Sequence, residues 1–193
     1  MSLSTLDPRT ALVVIDLQNG ITGAPGTPHT TADVVQRCVR LAEVFREHDA
    51  PVVLVRVSFA ADGADAAPGR TSAGGGRREF PEGWDRIIDE LAGHPADIVV
   101  TKRNWGAFHG TDLDVQLRRR GVTQIVLGGI ATSLGVESTA RAAHEHGYHV
   151  TLATDAMTDL DAEAHRNSLE RIFPRLGETG TTDEVVDLFK STR

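Results

Sequence analysis

Residues 11–21 read ALVVIDLQNGI, and the fold turns on them. Five apolar residues, Ala11 to Ile15, run without a polar interruption and stop at a carboxylate, Asp16. A short unalternating run of this kind suits a strand buried on both faces, and such strands belong to parallel sheets covered by helices. Comparable runs recur at residues 52–57, 98–101, 125–127 and 150–153, each bounded by polar residues, Gly or Pro. Helix-period stretches lie between them at residues 33–47, 84–91, 112–120, 135–146 and 162–172. In the first of these, Val34, Val35, Cys38, Leu41, Ala42 and Phe45 share one side.

Strand and helix therefore alternate, which predicts a three-layer, doubly wound α/β fold with right-handed crossovers. The expected sheet is six-stranded and parallel, in the order 3-2-1-4-5-6, with the strand ending at Asp16 in the middle. Its sixth strand is expected near residues 177–181. Asp33 is positioned to cap the first long helix and Thr111 or Asp112 the third. Gly121 and Gly147 sit where a helix ends in a left-handed residue.

At 193 residues with 40% hydrophobic content, the chain fits one domain spanning residues 1–193. Its N-terminal MSLSTLDPRT has neither a basic stretch nor an apolar one, so a cytoplasmic location is expected. The single cysteine, Cys38, excludes an internal disulfide and lies within an apolar helical stripe, as a packing residue would. A formal charge of -7 argues against nucleic-acid and anionic-membrane partners and leaves a small molecule as the expected one. The eight histidines form no HxxxH pair on a helical stretch, and no metal site is expected. The long irregular segment 58–81 carries Arg70, Arg77 and Arg78, which could grip a substrate carboxylate or simply be solvated.

Ligands of open α/β sheets bind beyond the carboxyl ends of the strands, so the first polar residue after each apolar run is informative. These residues are Asp16, Ser58, Lys102 and the Gly128–Gly129 turn. A carboxylate and an ammonium at one sheet edge can pair and adjust each other's proton affinity, in a structural or a catalytic role. Gln18, two residues after Asp16, could bond that carboxylate or a substrate. Trp105 and Phe108 could wall a pocket or fill the core. Residues 128–141, GGIATSLGVESTAR, turn from strand into helix and could offer backbone N–H groups to an oxyanion.

Three segments together, ALVVIDLQNGI (residues 11–21), TKRNWGAFHGTDLDVQLRRRGV (residues 101–122) and IVLGGIATSLGVESTARAAHEHGY (residues 125–148), resemble the isochorismatase-like hydrolases. The resemblance spans most of the chain in the right order. It implies catalytic roles for Asp16 and Lys102 and places Gln18, Trp105, Phe108, Ile130, Ala131 and Ser133 around the substrate. It also implies a cis peptide before Ala131. The cysteine hydrolases of this family carry a Cys in the frame T-x-x-C-V-E-S-T-A-R, where this chain has Gly135. Glycine cannot form a covalent intermediate, so ordinary amidase turnover on a thiolate is not expected.

The Asp-x-His metal motif of nicotinamidase-like members is also missing, since the chain reads VRVSFAADG at residues 55–63. No metal or other cofactor is therefore expected. True isochorismatases keep the Asp and Lys without the Cys and cleave a vinyl ether by protonation and water attack. A metal-free, non-covalent hydrolase of this type is the leading expectation, and a homo-oligomer, dimer or tetramer, is expected. A ligand-binding or regulatory protein on a degenerate hydrolase fold is one alternative. Another is an amidase using Ser133 or Thr132 as nucleophile. The closest motif match is to members carrying WGAF-GTDL, GVESTAR and a late FPR, here Phe173 to Arg175, whose substrates are unassigned.

Overall fold

The computed structural model describes residues 3–67, 69–72 and 80–192. Arg77 and Arg78 lie outside the described residues, and Arg70 is exposed. The central strand β1 (Thr10–Ile15) is buried at every position. It pairs in parallel with β2 (Val52–Val57) on one side and β4 (Gln124–Ile130) on the other. Beyond β2 lies β3 (Ile98–Lys102), and beyond β4 lie β5 (His149–Thr158) and β6 (Glu178–Gly180), all parallel. The order is β3-β2-β1-β4-β5-β6, as the alternation of apolar runs and helical stretches predicts.

Alternate residues of β1 feed two cores, because side chains along a strand point to opposite faces. The one-turn helix α1 (Asn19–Thr22) follows β1. Leu12 and Val14 pack with Val34, Cys38, Leu41 and Phe45 of α2 (Thr31–Glu47) and with Val185 and Phe189 of α6 (Thr182–Ser191). Ala11, Val13 and Ile15 pack with Leu113 and Leu117 of α3 (Leu113–Arg119) and with Ala140 and Ala143 of α4 (Glu137–Glu145). Cys38 is fully buried, and burial pushes its thiol up to about 12, which makes it an inert packing residue. Gly121 (φ 65°) and Gly147 (φ 82°) end α3 and α4 in the left-handed conformation expected of them.

Four local expectations change. Residues 84–91 form turns rather than a helix, because residues 17–20 recruit their backbone: Asn19 N–H donates to the Arg86 carbonyl, Gly20 N–H to that of Trp84, and Ile88 N–H to that of Leu17. The cap of α2 is Thr30, whose hydroxyl accepts the Asp33 N–H, so Asp33 sits one turn inside the helix. The stretch expected to be helical from residue 135 divides into a π-helical turn, Thr132–Val136, and α4. The terminal helix α6 was not anticipated. Its signature is the capping box of Thr181 and Glu184, in which each side chain accepts the other's backbone N–H.

Candidate active site

Asp16 follows directly on β1, in the left-handed region (φ 54°), a conformation that Asp tolerates better than most side chains. The backbone leaves the sheet there: Asp16 N–H still donates to the Val55 carbonyl, but its own carbonyl accepts the N–H of Gln18. Lys102 ends β3, two strands away, and its Nζ lies 2.7 Å from Asp16 Oδ2 and 3.1 Å from the Asn104 carbonyl oxygen. Both side chains are buried. Asp16 Oδ1 is also shut off from solvent and has no hydrogen-bond partner among the described residues.

Burial raises the Asp16 carboxyl to about 6, a shift that the charge and hydrogen bond of Lys102, and then the nearby Val57 N–H, only partly oppose. Desolvation thus outweighs the ion pair. A proton on this carboxyl belongs on Oδ1, since Oδ2 faces the ammonium.

The π-helical turn brings Gly135 to the same place. A Cβ on Gly135 would stand 3.4 Å from Asp16 Oδ2, 2.9 Å from Ile15 Cγ2 and 3.6 Å from the Ile130 carbonyl oxygen. The turn follows a cis peptide between Ile130 and Ala131, as the family resemblance implies. Ile130 is buried and Ala131 half-buried, and the Ala131 carbonyl accepts the N–H groups of Leu134 and Val136. Ser133 N–H donates to Asp159 Oδ2 at 2.7 Å. The negative charge favoured at this helical N-terminus is therefore supplied by the chain itself.

The aromatic and amide residues nominated from the sequence are placed differently. Phe108 stacks at 5.0 Å on the His146 ring and packs with Leu113, Leu117 and Tyr148, so it fills the core. Trp105 is 66% exposed and belongs to neither core. Gln18 is fully buried with its amide engaged: Nε2 donates to the carbonyls of Val57 (3.0 Å) and Trp84 (3.3 Å), and Oε1 accepts the Val57 N–H (2.8 Å). It holds the end of β2 and does not present its amide to a ligand.

Two groupings escaped the reading of the sequence. Phe59, Phe80 and Trp84 form a half-buried cluster of rings, Phe80 and Trp84 stacking at 4.4 Å, on the segment that follows β2. Thr132 Oγ1 lies 2.9 Å from Nδ1 of His165, which is carried by α5 (Ala162–Asn167). Burial, reinforced by His29 and partly opposed by Asp159, holds His165 below the ordinary histidine range, which favours the neutral ring. A His within a helical stretch, 33 residues from its partner, carries no local signal of this contact. Among the described residues, no three His, Cys, Asp or Glu side chains come together as metal ligands, and no helix is long and apolar enough to cross a membrane.

Comparison with known proteins agrees with this architecture. Residues 10–184 match the isochorismatase domain. The isochorismatase family protein YecD of Escherichia coli O157:H7 is 47% identical over 178 residues, covering 92% of this chain and 95% of YecD. The ureidoacrylate amidohydrolase RutB of Methylobacterium radiotolerans is 31% identical, covering 86% of this chain and 74% of RutB. The structure of an isochorismatase family protein from Burkholderia thailandensis superposes with a TM-score of 0.94 at 46% identity, covering 98% of this chain and all of that one. With the domain match spanning nearly the whole chain, this protein belongs to the isochorismatase family of hydrolases.

Proposed function

We propose that the chain hydrolyses a small molecule by acid catalysis without a covalent intermediate, with Asp16 as the proton donor and Lys102 as its electrostatic partner. The observation that carries this reading is that Asp16 Oδ1 has no partner among the described residues, on a carboxyl that burial raises to about 6. A buried oxygen with no donor is costly unless it is protonated or meets a donor on a ligand. Lys102 fixes Oδ2 and offsets the negative charge left when the proton departs.

A vinyl ether suits this pair. Protonation of its terminal carbon by Asp16 gives an oxocarbenium ion, water adds to it, and the resulting hemiketal collapses to an alcohol and a ketone, returning a proton to Asp16. Gly135 places no nucleophilic side chain beside the carboxyl, in keeping with water as the attacking group. The chemistry assigned to these residues requires no metal and no cofactor.

The contact between Thr132 and His165 favours a second reading, an amidase with a hydroxyl nucleophile, because it has the form of a nucleophile beside its base. Thr132 is fully buried, which disfavours it. The test is a panel of isochorismate, simple vinyl ethers, ureidoacrylate and other small amides, assayed with the wild type and with Asp16→Asn. Vinyl-ether turnover that disappears in Asp16→Asn is expected. Amide turnover with an adduct on Thr132, seen by intact mass, would replace this reading. Saturable binding without turnover would make the chain a binding protein.

A further inference from the structure

We propose that Gln18 is a positioning residue for Asp16: its amide oxygen takes the Val57 N–H and so leaves Asp16 Oδ1 without a donor among the described residues, free to carry a proton. The inference rests on the reading of Asp16 as the acid, and it concerns how this chain keeps that acid protonatable.

The argument begins with the sheet. In a parallel ladder a residue of one strand donates to its neighbour and accepts from the donor two residues further along that neighbour. Asp16 makes the first bond, to the Val55 carbonyl, but its carbonyl is turned away and bonded to Gln18 N–H. The next donor on β2, Val57 N–H, has therefore lost its ladder acceptor. It lies close enough to the Asp16 carboxylate to favour the charged form.

Gln18 intervenes. Its Oε1 accepts Val57 N–H at 2.8 Å while its Nε2 donates to the Val57 carbonyl at 3.0 Å. The side-chain amide thus stands in for a continuing strand, with a second donation to the Trp84 carbonyl fixing its orientation. Both faces of the exchange are buried, since Gln18 is fully enclosed and Asp16 Oδ1 is closed to solvent.

Without this competition, Val57 N–H would be left to bond the Asp16 carboxylate on which it already acts, and a backbone donor bonded to a carboxylate lowers its proton affinity. The charged group facing Asp16 is Lys102, from β3, while Val57 on β2 and Ile130 and Gly135 on the other side carry no charge. A neutral amide at position 18 can regulate the hydrogen bond without adding a charge.

The experiment needs no substrate, so its outcome is separable from that of the hydrolysis panel. The Asp16 carboxyl carbon is titrated by 13C NMR in the wild type, Gln18→Leu and Gln18→Glu, with thermal melts recorded in parallel. In Gln18→Leu the midpoint should fall by about one unit or more. In Gln18→Glu, whose buried carboxyl is neutral and retains the acceptor, the midpoint should not fall below that of the wild type. A lowered melting temperature in Gln18→Leu with an unmoved Asp16 midpoint would mean a purely structural role and would overturn the proposal.

Should Gln18→Leu fail to fold, the wild type answers directly through scalar couplings across hydrogen bonds. A coupling from Val57 N to the Gln18 side-chain carbonyl carbon supports the assignment. One from Val57 N to the Asp16 carboxyl carbon refutes it.

Discussion

Two ion pairs, one half-buried and one buried, lie at opposite ends of the same sheet, and they differ in what their oxygens do. At the amino end, Asp97 precedes β3 and meets Arg46 from the end of α2. Arg46 Nε reaches Oδ1 at 3.2 Å, Nη2 reaches Oδ2, and Nη2 also donates to the Leu91 carbonyl. His94 Nδ1 adds a further contact to Oδ1 at 3.4 Å. At the carboxyl end of the same strand, Lys102 offers one ammonium to one oxygen of Asp16 and leaves the other without a partner among the described residues.

The planar guanidinium fork satisfies a carboxylate completely, whereas an ammonium acts as a point charge. The first pair is finished and holds α2 to the sheet. The second is unfinished in the way an acid needs. Open volume points to the wrong end: a cleft of about 410 Å³ is lined by Arg9, Arg46, His94, Asp97 and Arg120 at the amino ends of the strands. Its arginines are taken up by Asp97 and by carbonyls, Arg120 bonding to Gln116 and Arg9 to Arg120.

The largest expected effect separates the two carboxylates by activity. Asp16→Asn should lower kcat/KM for the responsive vinyl ether by about 10²–10⁴, the usual contribution of a positioned acid. Asp97→Asn should leave it within a fewfold in samples verified as folded. The acid form of Asp16 is the active one, so wild-type kcat/KM should be level below about pH 6 and fall as pH rises above it. A profile rising through that region would make Asp16 a base and reverse the assignment.

Stability should separate the pairs next, and in the opposite sense. Asp97→Ala leaves the half-buried Arg46 guanidinium without its carboxylate and should cost about 1–3 kcal/mol, since removing one member of the pair leaves the other's hydrogen bonds unmade. Lys102→Met should approach that cost only at higher pH. Asp16 already has a raised proton affinity, and without Lys102 it is raised further, so at low pH the carboxyl is neutral and little is stranded. An acid whose folded value lies above its unfolded one loses stabilisation as pH rises from the unfolded value through the folded one. Urea unfolding at pH 5 and pH 8 reads this directly. A Lys102→Met penalty as large at pH 5 as at pH 8 would mean that Asp16 remains charged throughout.

The contrast also explains what could be read from the residues beforehand. Strand order was legible because each buried run, such as Ala11 to Ile15, is a local signal and the crossover rule leaves few topologies. Asp16 and Lys102 were legible as strand-terminal polar residues, and their meeting follows from sharing one edge. The fate of Gln18 was not, because its partners Val57 and Trp84 lie 39 and 66 residues away on a segment whose helical periodicity is overridden by contacts with residues 17–20. Phe108 could be read as a pocket wall or as core, because its nearness to Lys102 in sequence says nothing of the turn that places it beside Tyr148. The Asp97 ion pair carries no local signal either, since Arg46 is 51 residues away in the chain.

The smallest expected effect concerns Gly135, which tests whether the unfinished pair faces the position where related hydrolases carry a cysteine. Gly135→Ala puts a methyl 2.9 Å from Ile15 Cγ2, on a β-branched side chain with little freedom to move, and 3.4 Å from Asp16 Oδ2. Overpacking of this kind should cost about 1–3 kcal/mol, measurable as a lowered urea midpoint. Gly135→Cys should pay a similar cost and place its thiol beside Asp16 Oδ2, the oxygen that Lys102 holds, where a neutral Asp16 and the Lys102 ammonium would promote thiolate character and rapid reaction with iodoacetamide. The internal reference is Cys38, whose thiol is buried and pushed up to about 12. Mass spectrometry after brief treatment should find residue 135 alkylated well before residue 38. Equal protection of both thiols in a folded Gly135→Cys variant would show that this position is closed to small electrophiles, and the space beside Asp16 Oδ2 could not then admit the substrate from that side.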